Sequence, residues 1–226
     1  PTQLLQIPAT GQLLVSEREG KIFAMPPGGG AKRLVLDLSR VTQGHQDCGL
    51  LGLAVHPEFG DEVSPNAGYV YVHYAFANPP QTPPVATNAP TESRLSRFTI
   101  DRQTMVADPA SELVLIAQRD EHVYHQGSGM FFSPKDGFLY LSVGDEGGSL
   151  CVYDNCQRID RDLFGGVLRI DVDERGGDVS HPIARQPQSG STAHYFIPND
   201  NPFVGSGGLE EFYAIGLRSP HRMTHD

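Results

Sequence analysis

One short phrase recurs along this chain and limits what it can fold into. It is an apolar run, a turn, then a second run in which aromatic and aliphatic residues alternate. The first copy is LLQIPATGQLLVSE (4–17), followed by GKIFAM. The second is LGLAVHPEFG (51–60), a longer turn, and GYVYVHYAF (68–76). The third, GMFFSPKDGFLYLSVGD (129–145), is the most regular, and a fourth begins at HRMTHD as the sequence ends. Alternation over such short runs, broken by Gly and Pro, is the mark of strands and not of helices. Further strands are expected at RLSRFTID (94–101), SELVLIAQ (111–118), GGVLRIDVD (165–173) and EEFYAIGL (210–217). A unit of about four strands repeated at irregular spacing favours a β-propeller over a β-sandwich. The insertions ANPPQTPPVATNAPTES and ERGGDVSHPIARQPQSGSTAHYFIPNDNPFVGSGG are expected to be loops. The repeats amount to three and a half to four blades, too few to close a ring. Residues 1–226 are therefore expected to be part of one propeller domain cut at both ends.

The 25 glycines and 18 prolines are dispersed, which fits frequent turns rather than disorder. A formal net charge of −10 argues against nucleic acid and against anionic membranes. No apolar run approaches the ~20 residues needed to cross a bilayer. Cys151 and Cys156 flank a four-residue loop and are expected to form a local disulfide, which suits an oxidising compartment. Cys48 is left over, as a free thiol or as the partner of a cysteine elsewhere.

The third copy carries the chemistry. Lys135-Asp136-Gly137 is turn chemistry, so residues whose numbers sum to about 271 should face each other across the hairpin. That sets His125 opposite Asp145 and Glu146. A histidine beside a carboxylate at the end of a rigid hairpin is how a general base is held. Taken alone, the pair reads more readily as a surface histidine near a turn aspartate. The repeat changes the balance. Stepping back eight to ten residues from Pro57, Pro134 and Asp226 lands on Asp47-Cys48-Gly49, Tyr124-His125-Gln126 and Gly216-Leu217-Arg218. Equivalent positions in successive blades share one rim, so a carboxylate, a histidine and an arginine are expected to converge there.

The succession GLLGLAVHPEF, HQGSGMFFSP, LYLSVGD, FGGVLRIDVD, IPNDNPF and EFYAIGLRSPHRM resembles the soluble quinoprotein glucose and aldose-sugar (sorbosone) dehydrogenase family. That family also includes the Hedgehog-interacting protein, and GLRSPHRM is closer to this branch. The resemblance implies a six-bladed β-propeller that uses pyrroloquinoline quinone (PQQ) and calcium to oxidise the anomeric hydroxyl of an aldose to a lactone. A sugar substrate, an external electron acceptor and a periplasmic or secreted location go with it. It places His125 on the general base, Asp145 on the aspartate that orients it, and Arg218 on the arginine that contacts the quinone oxygens. Gln46, Asp47 and Ser219 fall at or beside cofactor-contact positions. The sequence departs from the family at Ser219, where Asn is usual, at Asp47, where Gln is usual and Gln46 is one step off, and at His221, where Gln or Trp is usual. The family's calcium ligands and further basic quinone contacts lie downstream of the arginine segment.

A binding module competes with the enzyme: a propeller that lost its cofactor, as the Hedgehog-interacting protein did, and contacts a protein or glycan through its insertions. Ser219 and Asp47 lean that way, while the intact His125, Asp145 and Arg218 set leans towards catalysis. A calcium-dependent hydrolase would need more Asn, Asp and Glu at the rim. His45, His56, His73 and His122 lack ligand spacing and read as structural or surface residues. Asp171 and Asp173 read as the end of an outer strand and the start of a turn, and Asn199-Asp200-Asn201-Pro202 as a turn. Gly147-Gly148 lacks the strand-to-helix setting of a phosphate loop.

Overall fold

The structure, a computed structural model, describes residues 1–77 and 87–226. Residues 78–86, part of the Pro-rich insertion, lie outside the described residues. The first sheet is β1 (Gln3–Gln6), β2 (Leu13–Glu17), β3 (Lys21–Met25) and β4 (Arg33–Asp37), antiparallel and in chain order. The second contains β5 (Leu50–Val55), β6 (Tyr69–Phe76), β7 (Thr91–Asp101) and β9 (Leu113–Asp120), with β8 (Val106–Ala107) paired to the end of β7. The third begins with β10 (Gly127–Phe132), β11 (Leu139–Val143) and β12 (Gly166–Ile170). Three short strands follow, β13 (Ser180–Pro182), β14 (Gly190–Thr192) and β15 (Phe196–Pro198), before β16 (Phe212–Ile215) completes the third sheet beside β12.

Strand alternation explains how the sheets stack. In β6, YVYVHYAF, residues Val70, Val72 and Tyr74 join a core shared with Leu14, Ile22 and Leu36 of the first sheet. Tyr71 points the other way, into a core shared with Met130, Leu141 and Phe212 of the third sheet. One strand thus feeds two cores because successive side chains leave opposite faces. The fully buried Tyr71, Tyr74, Phe98 and Phe212 each contribute roughly 1.5–3 kcal/mol relative to exposure. β5, LLGLAV, is buried along almost its whole length because it packs on β1, β2 and β10 at once. Successive sheets stacked face to face, with their first strands innermost, are the blades of a propeller.

The third hairpin closes as its sequence requires. Phe132 faces Leu139, Phe131 faces Tyr140 and Met130 faces Leu141. A bulge then shifts the register, so Gly127 faces Val143. The four further strands expected from sequence correspond to β7, β9, β12 and β16.

Two features differ from expectation. The long insertion after β12 is not all loop. β13 pairs with β15, and β14 pairs with β9 at the outer edge of the second sheet. The Asp171 carboxylate organises the start of this segment, accepting from Arg175 N and Nε, both at 2.9 Å, and from Ser180 Oγ at 2.6 Å. Gly190 permits the β14 contact, since a Cβ there would stand 2.0 Å from Ala117 O. The segment HRMTHD forms no strand. It runs beside β10, with Met223 against Gly129 and the His225 ring centroid 5.5 Å from that of Phe131, and no strand pairs with it among the described residues.

Candidate active site

The hairpin delivers its two ionisable residues to one point. The bulge leaves His125 outside the ladder with φ 61, in the left-handed region. His125 Nδ1 lies 2.7 Å from Asp145 Oδ1, and both side chains are mostly buried. A carboxylate only accepts, so Nδ1 carries the proton and the lone pair rests on Nε2. Gly147 N–H also donates to Asp145 Oδ1, at 3.1 Å. Gly144 makes this approach feasible, because a Cβ there would stand 1.5 Å from His125 O.

Arg218 comes from the chain after β16, as the repeat alignment expects. Its carbonyl accepts Asp145 N–H at 3.0 Å, while its side chain is exposed and makes no ion pair among the described residues. Asp145, Gly216, Leu217 and Arg218 line a cleft of about 340 Å³ together with Leu150, Cys151 and Cys156. The Cys151–Cys156 disulfide is present, and Cys156 Sγ stands 3.6 Å from Asp145 Oδ2. Asp47 reaches the same rim, where its Oδ2 accepts the His125 N–H at 3.0 Å. Gln46 is exposed beside it, and Ser219 is half-buried after Arg218.

Behind this pair sit two buried acids. Asp120 accepts from His122 N at 3.0 Å and Gln126 Nε2 at 2.8 Å, and burial pushes its carboxyl up to about 8. Glu146 accepts from Glu121 N at 2.9 Å and Asn155 Nδ2 at 2.6 Å, and burial raises it too. These contacts build a floor for the loops around His125.

The other histidines are engaged differently. His56 accepts Glu58 N–H at Nδ1 and meets Asp173 at Nε2, 3.0 Å away. His73 lies between the Ser128 and Ser93 hydroxyls, and burial lowers it to about 4. His181 lies between Asn199 and Glu210. Each of these three has both ring nitrogens occupied. Among the described residues, His125 has a ring hydrogen bond at Nδ1 alone.

Sequence reasoning brought His125, Asp145, Arg218 and Asp47 together but missed the sulfur against Asp145 and the use of Asp47 as a backbone acceptor. The first had a signal, since CVYDNC follows Asp145 closely. The second had none. Cys48 makes no disulfide among the described residues; it is fully buried with Sγ 3.7 Å from Val123 O, and burial raises it. Asp171, Asp173 and the Asn199–Pro202 turn serve structure, as read.

The arrangement leaves His125 Nε2 able to accept a proton and the exposed Arg218 guanidinium able to meet an anion, a donor set compatible with an anionic quinone and an alcohol substrate. Among the described residues no group of three or more His, Cys, Asp or Glu could hold a metal ion.

Comparison with known proteins identifies the family. The family described as Glucose / Sorbosone dehydrogenase matches residues 1–193. The HIPL1 protein of Arabidopsis thaliana is 38% identical over 104 residues, covering 45% of this chain and 14% of its own length. Quinoprotein glucose dehydrogenase B of Acinetobacter calcoaceticus is 25% identical over 239 aligned positions, 99% of this chain and 43% of that protein. The chain thus spans less than half the length of these relatives. Among solved structures, a glucose dehydrogenase superposes with a TM-score of 0.65 at 19% identity, covering 96% of this chain and 52% of that one. The PQQ-bound form of aldose sugar dehydrogenase from Streptomyces coelicolor does so with a TM-score of 0.53 at 24% identity, covering 85% and 49%. The chain belongs to the glucose/sorbosone dehydrogenase family, and its sheets are blades of that family's six-bladed β-propeller.

Proposed function

We propose that this chain carries the proton-accepting half of a PQQ-dependent sugar dehydrogenase site, which oxidises the anomeric hydroxyl of an aldose to a lactone. The observation that carries the reading is His125, with Nδ1 held by Asp145, which itself lines a cleft with Arg218. His125 Nε2 takes the proton of the anomeric hydroxyl as the C1 hydride departs. Asp145 fixes the tautomer and stabilises the imidazolium, and a base so placed contributes about 10²- to 10⁴-fold. PQQ supplies, when bound, a two-electron acceptor for that hydride. Arg218 holds the anionic cofactor by its free guanidinium, with Gln46 and Ser219 as neighbouring contacts. An external acceptor then removes the electrons. The Cys151–Cys156 disulfide supports a periplasmic or secreted location.

The test is dye reduction by the full-length protein loaded with PQQ and calcium, over a panel of aldoses. Turnover with at least one aldose, lost in His125→Ala, is the expected result. A cofactor-loaded protein that reduces no dye, beside a working control enzyme, overturns the reading. The second reading, a binding module for a protein or glycan, draws on the exposed Leu150 and Val152 beside the cleft. It gains if the loaded protein is inert.

A further inference from the structure

The base is held by more than its partner aspartate. At φ 61, His125 has a backbone conformation that residues other than glycine adopt seldom and keep only where the surroundings impose it. The imposing contacts come from the loop that enters the second sheet, not from the hairpin itself. Asp47 Oδ2 accepts the His125 N–H at 3.0 Å, and Asp47 N–H donates to Val123 O, also at 3.0 Å. Cys48 directs its thiol at the same carbonyl and packs with Ala75 and Val123 in a small apolar cluster. The loop is fixed on its far side as well. Arg18 Nη1 donates to Gln46 O at 3.1 Å, and Leu50 N donates to Arg18 O at 2.9 Å. Asp47 therefore joins a tethered loop of one blade to the main chain of the histidine in the next.

We propose that Asp47 is a positioning residue: its carboxylate, reaching from the second blade to the His125 amide, sets the backbone from which the imidazole meets Asp145 and the substrate. This rests on His125 being the base. It departs from the expectation that Asp47 contacts the cofactor, since the observed partner of its carboxylate is a peptide N–H. Without that acceptor the 124–125 peptide is free to leave the left-handed region, and the ring swings with it. A displacement of that kind leaves substrate affinity largely intact and lowers the rate of the chemical step. The bond needs an acceptor oxygen rather than a charge, so Asn can replace Asp.

The experiment pairs amide hydrogen exchange at His125 with dye-coupled kinetics, both in the full-length protein with PQQ and calcium. In Asp47→Ala the His125 amide should exchange at least about 10-fold faster while the Met130 and Leu141 amides stay protected. The same variant should lose about 10- to 100-fold in kcat with KM within about threefold. Asp47→Asn should restore slow exchange and recover most of kcat. If Asp47→Ala folds poorly, Asp47→Ser, polar but too short to reach the amide, takes its place. Unchanged exchange at His125 overturns the proposal. So does an Asp47→Asn variant as slow as Asp47→Ala, which would make the carboxylate's charge the working feature. If the wild-type protein reduces no dye, the dehydrogenase reading fails, and exchange alone decides whether Asp47 holds the backbone.

Discussion

Two histidine–aspartate pairs occupy opposite ends of the inner strands, and they do opposite things. His56 follows β5, is buried against Phe132 with ring centroids 5.4 Å apart, and has both nitrogens filled by Asp173 and the Glu58 N–H. His125 precedes β10 and keeps its Nε2 for something outside the fold. The residue types are the same and the distances nearly so. The difference lies in the second nitrogen: where the fold supplies a partner for it the pair is a fastener, and where it does not the pair keeps a nitrogen with which the proposed base can act. The charges around them follow suit. At the turn end Arg169 pairs with Asp136 and Asp200, and Arg175 with Asp171. At the open end Arg218 pairs with no carboxylate among the described residues.

The strongest way to break this comparison is to remove each histidine in turn. His125→Ala should lower kcat by about 10²- to 10⁴-fold and leave the melting temperature near that of the wild type. His56→Ala should do the reverse, costing about 1–3 kcal/mol in denaturant unfolding while kcat of the folded fraction holds. Equal losses of stability in the two variants would erase the distinction. A smaller effect comes from Arg218→Ala, which should weaken PQQ binding by about 10-fold or more, as expected for a lost charge-assisted contact. Cofactor titration followed by absorbance reads this directly.

The mildest effect concerns acid. His73 is lowered to about 4 by burial, against 6.5 when unfolded, so the unfolded chain binds this proton first. Stability linked to His73 is complete above about pH 6.5 and lost progressively towards about pH 4. Asp173 is lowered by its hydrogen bond to His56, so its contribution is lost only below about pH 4. In chemical denaturation the wild type should therefore lose stability relative to His73→Gln as the pH falls from 7 to 4. Its difference from Asp173→Asn should stay constant, the raised Asp120 contributing equally to all three. The sealed His73 would then limit acid tolerance, while the open histidine is tested by rate.

Much of this was legible because it is periodic. The third hairpin could be registered from its alternation and from Lys135-Asp136-Gly137, and register alone set His125 against Asp145. Arg218 and Asp47 followed from counting back along the repeat. What escaped was aperiodic. β13, β14 and β15 are three-residue strands held by particular side chains, namely Asp171 and the buried Tyr195–Glu211 hydrogen bond of 2.7 Å. No pattern of so few residues separates a strand from a loop. The bond from Asp47 to the His125 amide is a side-chain contact to backbone, which leaves no trace in residue spacing. HRMTHD has the look of a strand, but a strand exists only where a neighbour shares its hydrogen bonds.

The placement of β14 bears on how such a molecule can change over evolutionary time. A repeat protein is usually pictured as a string of exchangeable modules, each stable through contacts with its neighbours. Here the outermost strand of the second blade is encoded some seventy residues after the strand it covers, inside an excursion of the third blade. Excising or shuffling the third blade would strip the second of its outer edge and leave β9 open to pair with another molecule. The segment between β12 and β16 is thus a seam that ties these two blades to each other.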